Sequence, residues 1–439
     1  MPTAEPVDSR LDDDATESAP EFAAARGSRI AIAGTLGTVI EYYEFSLYGL
    51  LAVFLGPVFF PSHDPAVSTV AALGTLAVSN IARPVGGFVV GRFADRYGRR
   101  TTLLLTVLVM GLATGAIGLL PGYAIIGVAA PVLLTLLRFV QGFATAGELM
   151  GAAAYAVESA PSKRRIFLSS FIGGGGYWGY VLAAVIAGVL GFAVTSGEMT
   201  SWGWRIPFLL CLPLALVCLW LRKGLDDSPE FVREKARDRL SRRPIRDVFL
   251  RHPKSLLAVV GISIGQSAPG YLGLIYVTVF LIGERGFPKN EVYWGTAIAI
   301  GLAALTTPLY GLLSERVGGR RMLIGANIAF LVLSYPLFLG LAHAKSIAVA
   351  VIFHTVFMQI SAAQAAPIWA LVTHLFPTRV RASGMAVGYN IGVTVAGGFG
   401  PFIAAQLVLW TGSALAPAYW VIGGTVIGLA SILAVRRSV

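Results

Sequence analysis

Glu41 and Glu44 stand three residues apart inside an apolar run, with Tyr48 one turn further on. That spacing puts all three on one helix face. Two such close carboxylates repel when both are ionised, which favours keeping a proton on one of them near neutral pH. The chemistry this points to is proton carriage. The competing reading is a structural pair held by arginines of neighbouring helices. Another apolar run holds Arg138, Gln141 and Glu148. Arg138 can give a carboxylate substrate a two-pronged contact or pair with a glutamate of the first run. Arg83, beside Pro84, is expected nearer one membrane face, in a structural role.

The second half of the chain offers different chemistry. Its apolar runs contain no lysine and carry Gln266, Tyr276, Asn327, His354, Gln359, Gln364, Trp369, Tyr389 and Asn390. Hydrogen bonding and stacking are therefore expected there, with Gln266, Gln359, Tyr389 and Asn390 as substrate candidates. His354 reads as a hydrogen-bonded packing residue.

A short signal occurs twice, half a chain apart. Gly91-Arg92-Phe93-Ala94-Asp95-Arg96-Tyr97-Gly98-Arg99-Arg100 is echoed by Gly311-Leu312-Leu313-Ser314-Glu315-Arg316-Val317-Gly318-Gly319-Arg320-Arg321. The pattern reads as a glycine closing a helix, then an acid and arginines in a short loop. Such clusters can bind helix ends in one conformation and release them in another. The gating candidates are Gly91, Asp95, Arg96, Arg99, Arg100, Glu315 and Arg316. Glu158 joins them from a second echo, Glu158-Ser159-Ala160-Pro161 against His374-Leu375-Phe376-Pro377.

The elements that must position these groups are membrane helices. Hydrophobic residues are 56% of the chain and charged residues 13%, against about 25% charged in soluble domains. One core cannot hide that much apolar surface from water, so lipid is the expected solvent. An ionised group at the bilayer centre costs about 2.5–3.5 kcal/mol on insertion scales, so the groups above should be partnered, cavity-facing and functional. Spanning needs about 20 apolar residues. Twelve such runs are present, six between Ile30 and Leu221 and six between Leu256 and Val435. The expected fold is an all-α membrane protein with twelve transmembrane helices in two pseudo-symmetric six-helix bundles. The divisions are an acidic cytoplasmic tail at 1–27, a bundle at 28–222, a linker at 223–254 and a second bundle at 255–439.

The net charge of +11 lies in loops on one side of the membrane, which argues against a nucleic-acid partner. By the positive-inside rule both termini are cytoplasmic in a plasma (inner) membrane. Cys211 and Cys218 are seven apart on one helix, too far to bridge. There is no nucleophile–base cluster, no metal-ligand spacing and no ATP-binding glycine loop. An enzyme is not expected, nor a cofactor, and the coupling ion should be a proton. A monomer acting on a small metabolite in the bilayer is the expected unit.

The residues from Thr35 to Pro401 resemble the major facilitator superfamily and, within it, the metabolite:proton symporter family. The carriers are Gly91-x-x-Ala94-Asp95-Arg96-x-Gly98-Arg99-Arg100, Glu41-Tyr42-Tyr43-Glu44-Phe45 with Tyr48, Arg83-Pro84, Arg138-Phe139-Val140-Gln141-Gly142 through Gly147-Glu148, Trp202-Gly203-Trp204-Arg205-Ile206-Pro207-Phe208, Ser228-Pro229-Glu230-Phe231 and Phe376-Pro377-Thr378-Arg379-Val380-Arg381. The resemblance implies proton-coupled uptake of a small organic anion or zwitterion by alternating access. Export on the same fold is the runner-up, and a non-transporting sensor the rival from another class. Members usually show Trp then Asp where this chain has Tyr42 and Glu44, and often a glutamine where it has Gly173-Gly174-Gly175-Gly176. These departures lie where substrate would touch.

Overall fold

The computed structural model describes residues 38–97, 99–146, 164–223 and 244–435. Glu148, Glu158, the tail at 1–27 and residues 224–243 of the linker lie outside these residues. So do the side chains of Asp95, Arg96, Arg99 and Arg100, where the backbone alone is described.

Among the described residues, twelve apolar helices follow one another. They are α1 (Thr38–Leu50, continuing after a 62° bend as Ala52–Phe59), α2 (Pro65–Tyr97), α3 (Arg99–Leu119), α4 (Ala129–Thr145), α5 (Arg165–Ala193) and α6 (Arg205–Lys223). The second half holds α7 (Pro253–Gly283), α8 (Lys289–Val317), α9 (Gly319–Ala342), α10 (Ile347–Thr373), α11 (Ser383–Thr411) and α12 (Ala416–Ala434). Their outward faces expose leucine, valine and phenylalanine, with Phe192, Trp220 and Trp410 bare near helix ends. A surface like this is stable in lipid, with aromatic rings at the headgroup level.

Within the halves α2 packs on α4, α3 on α6, α7 on α12 and α9 on α10; between them α5 lies along α8 and α10, and α2 along α11. Small residues allow this closeness. A Cβ on Gly142 would collide with the Ser79 carbonyl oxygen, so α2 and α4 touch backbone to backbone. Gly311, in the second repeat, acts likewise. Gly91 and Gly311 do not close their helices, contrary to the sequence expectation; they lie inside α2 and α8. A Cβ on Gly311 would meet Ser170 Oγ at 2.6 Å, so this glycine admits α5. The residue that ends α8 is Gly318, at φ 97°, a conformation glycine adopts without a Cβ penalty.

Breaks in the helices are filled from neighbouring helices. Pro269 in α7 has no N–H for the carbonyl of Gly265, and Gln364 of α10 donates to that oxygen at 3.3 Å. A π-helical turn follows at Leu272–Tyr276. His354 Nε2 lies 2.7 Å from the Gly273 carbonyl oxygen within it. In lipid a freed backbone oxygen must find a donor inside the protein. Gln364 and His354 supply that service, which accounts for two of the polar residues in the second half.

Candidate functional site

Two glutamates and two arginines are almost wholly buried: Glu41 and Arg138 are 1% exposed, Glu44 2% and Arg83 4%. They come from α1, α2 and α4 and line one small void, with Phe45, Ser79, Met110, Gln141 and Thr145. The i, i+3 spacing of Glu41 and Glu44 turns both toward α2, α3 and α4. Arg83 Nη2 lies 3.7 Å from Glu41 Oε1, so Arg83 belongs to the site rather than to the membrane face. Thr114 of α3 donates to Glu44 Oε2 at 2.9 Å. Arg138 Nη1 donates to Gln141 Oε1 at 2.9 Å, and Gln141 Nε2 donates to Thr114 Oγ1. The Arg138 guanidinium lies 4.1 Å from the Tyr48 ring centroid, and the Tyr48 hydroxyl is hydrogen-bonded to Thr75. Tyr48 therefore seats Arg138.

Phe45 links this void to its neighbour through Tyr271. Arg83 stands 5.2 Å and Arg138 5.9 Å from its ring centroid. Its edge meets Tyr271 at 5.5 Å and 79°. Tyr271 lines a second void between the halves. That chamber is walled by Tyr42 of α1, Gly173, Gly176 and Tyr177 of α5, Gln266 and Tyr271 of α7, Trp369 of α10 and Tyr389 of α11. None of its lining side chains is acidic or basic. The Trp369 and Tyr389 rings are 5.0 Å apart. The Trp369 indole N–H is buried and finds no acceptor among the described residues.

Contacts between the halves flank the chamber toward both ends. At the end that carries the α2–α3 and α8–α9 loops, Glu315 Oε1 accepts from the Phe167 N–H at 2.9 Å. Phe167 is the third residue of α5, so Glu315 caps that helix with a negative charge at its positive end. Asn390 of α11 donates to the Ala146 carbonyl at 3.2 Å, and Thr394 to that of Asn80 at 2.8 Å. Toward the other end Tyr293 of α8 donates to the Leu50 carbonyl at 3.1 Å, at the bend of α1.

The structure thus gathers Glu41, Glu44, Arg138 and Gln141 around one void and puts Gln266 and Tyr389 in the other. Gln359 lies elsewhere: its Oε1 accepts from Thr306 at 2.8 Å and Tyr310 at 3.2 Å, tying α10 to α8. Asn390 spans the halves and lines neither void. Thr114, Ser79, Tyr177 and Tyr271 carry no charge and gave the sequence no signal. Tyr42, Gly173 and Gly176 were visible only as departures from the family pattern.

The profile of the sugar (and other) transporter family matches residues 30–251 and 244–435. The chain belongs to that family. This transporter is 34% identical over 420 residues to the shikimate transporter of Escherichia coli (strain K12), covering 94% of this chain and 95% of that protein. It is 34% identical over 423 residues to the proline/betaine transporter of Salmonella typhimurium (strain LT2), covering 92% and 83%. Its fold matches the xylose transporter XylE from E. coli, a major facilitator superfamily protein, with a TM-score of 0.73 at 18% identity over 93% of this chain and 97% of that one. The transporter is therefore a multi-pass membrane protein with the twelve-helix fold of that superfamily, acting on a small molecule and not an enzyme.

Proposed function

We propose that the transporter is a proton-coupled symporter that imports a small organic anion or zwitterion by alternating access. One observation carries the reading: a buried Glu41/Glu44 pair with Arg83 and Arg138 shares its void with Phe45, whose ring meets Tyr271 in the wall of an aromatic chamber between the halves. A proton held on the first side changes the field felt on the second. The charge is stored where lipid and water do not reach, and burial makes it felt over a few ångströms. The aromatic faces accept an apolar or cationic body. Gln266 and the Trp369 N–H supply hydrogen bonds for oxygens.

The unit is a monomer in the plasma (inner) membrane with both termini cytoplasmic. Arginine and lysine support that orientation, since they concentrate in the α2–α3, α4–α5, α8–α9 and α10–α11 loops and near both ends of the linker. The related proteins named above handle shikimate, proline and betaine, so those compounds are the first to test. Purified protein in liposomes should take up one or more of radiolabelled shikimate, L-proline and glycine betaine when the outside is acidified. A protonophore should abolish the accumulation, and a sodium gradient should not replace the proton gradient. Accumulation that persists with the proton gradient collapsed would overturn the reading.

A further inference from the structure

The hydrogen bonds around Thr114 have a fixed direction. Arginine can only donate, so the Gln141 oxygen must face Arg138 and its NH2 must face Thr114. The Thr114 oxygen therefore accepts from Gln141. Its single O–H has two acceptors within reach, Glu44 Oε2 at 2.9 Å and the Met110 carbonyl at 2.9 Å. Thr114 is fully buried, so no water competes for either bond.

We infer that the Thr114 hydroxyl is a two-position rotor that tunes Glu44 and reports its protonation toward Arg138. This rests on the proton-carrying role proposed for the carboxylate pair. With Glu44 ionised, the O–H points to Glu44, and every donor from Arg138 through Gln141 and Thr114 runs toward the carboxylate. With Glu44 protonated, the new carboxyl O–H donates to the second lone pair of the Thr114 oxygen. The Thr114 hydrogen then swings to the Met110 carbonyl. The proton comes from solution and stays on Glu44, so the step balances. In both states the Thr114 hydroxyl keeps a donor and an acceptor without moving a heavy atom, and an unmade buried hydrogen bond is what would otherwise penalise one of them. Proton uptake removes the negative end of the chain, so Arg138 is held less tightly from that side.

Among the described residues, the ionisable groups around Glu44 are Glu41 and Tyr43 on α1, Arg83 on α2, Arg138 on α4 and Cys211 on α6; α3 offers the Thr114 hydroxyl. Thr114 touches no substrate-chamber residue of the lining and acts through Glu44, so it is a positioning residue.

The test needs no substrate. The full chain in nanodiscs is titrated by infrared difference spectroscopy, following the protonated-carboxyl C=O band assigned by its loss in Glu44→Gln. Thr114→Val keeps the side-chain shape and removes the hydroxyl. It should move the Glu44 midpoint to higher pH by about one unit, because the lost bond is the stronger one to the charged form. It should also move the band itself, because the protonated carboxyl loses its acceptor. Thr114→Ser should restore both the midpoint and the band. An unchanged midpoint and band in Thr114→Val would overturn the rotor. So would a Thr114→Ser variant that behaves like Thr114→Val, since packing rather than the hydroxyl would then be responsible. If Glu44→Gln leaves the titrating band in place, the fault lies with the assignment of the proton to Glu44 and the rotor falls with it.

Discussion

Thr394 donates its hydroxyl hydrogen to the carbonyl of Asn80, the oxygen that Pro84 leaves without its helical donor four residues on. The donor is on α11 and the acceptor on α2, so a helix break in one half is completed by the other. Tyr293 and the Leu50 carbonyl repeat the arrangement at the bend of α1, where the Phe54 N–H turns to Leu51. These bonds exist only while the halves are closed against each other at that depth.

Thr394→Val should therefore favour the conformation open at the loop end. Losing one such bond is worth about 1 kcal/mol, roughly fivefold in population. Spin-label distances between α2 and α11 would show it as a longer population. An unchanged distribution would count against the latch.

Glu315 contributes both an acceptor and a charge to the start of α5. Glu315→Gln keeps the acceptor and loses the interaction with the helix dipole, about 0.3–1 kcal/mol. Glu315→Ala loses both. Opening at the loop end, read by cysteine accessibility in the seam between α5 and α8, should rise in the order wild type, Gln, Ala. Equal accessibility in all three would remove Glu315 from the gate.

Gln364→Leu should destabilise the protein by about 1–3 kcal/mol, because the Gly265 carbonyl loses its donor in a buried place. Adding Pro269→Ala should recover part of the loss by restoring a helical N–H. Thermal unfolding in detergent measures both. A double variant no more stable than Gln364→Leu alone would break the link between the two residues.

How much of this was legible in the sequence follows from what each group costs. Glu41, Glu44 and Arg138 stood out because a charge in an apolar run is expensive and demands a reason. Arg83 stood out too, but depth along a helix does not reveal that a carboxylate on α1 waits 3.7 Å away. Gln359 and Gln364 look alike in sequence. One ties two side chains together and the other serves a backbone oxygen, a difference set by Pro269 nearly a hundred residues earlier. The twelve runs were readable because lipid imposes length, whereas Thr114 was not, since a threonine in a membrane helix is commonplace. Gly311 was misread as a helix end because a cap and a close crossing ask for the same residue.

Trp369→Phe should weaken binding of the transported compound about tenfold, since it removes an indole N–H that has no acceptor of its own and keeps the aromatic face. The comparison is made with whichever of shikimate, L-proline and glycine betaine the liposomes accumulate. Unaltered affinity would show that the N–H does not meet the substrate.

The π-helical turns at Leu272–Tyr276 in α7 and Val393–Gly398 in α11 have a bearing on how the chain is read. Each carries roughly one residue more than an α-helix over the same stretch. One surplus residue rotates everything beyond it by about 100° relative to an uninterrupted count. Before the turn in α7, Gln266 and Gly270 keep a spacing of four along the chamber wall; past it the same arithmetic names the wrong face. Heptad reading is therefore in phase on one side of each turn and out of phase on the other. A single-residue deletion inside either turn would restore the phase and carry the rest of that helix round, turning an outward stripe into an inward one while leaving the composition almost unchanged.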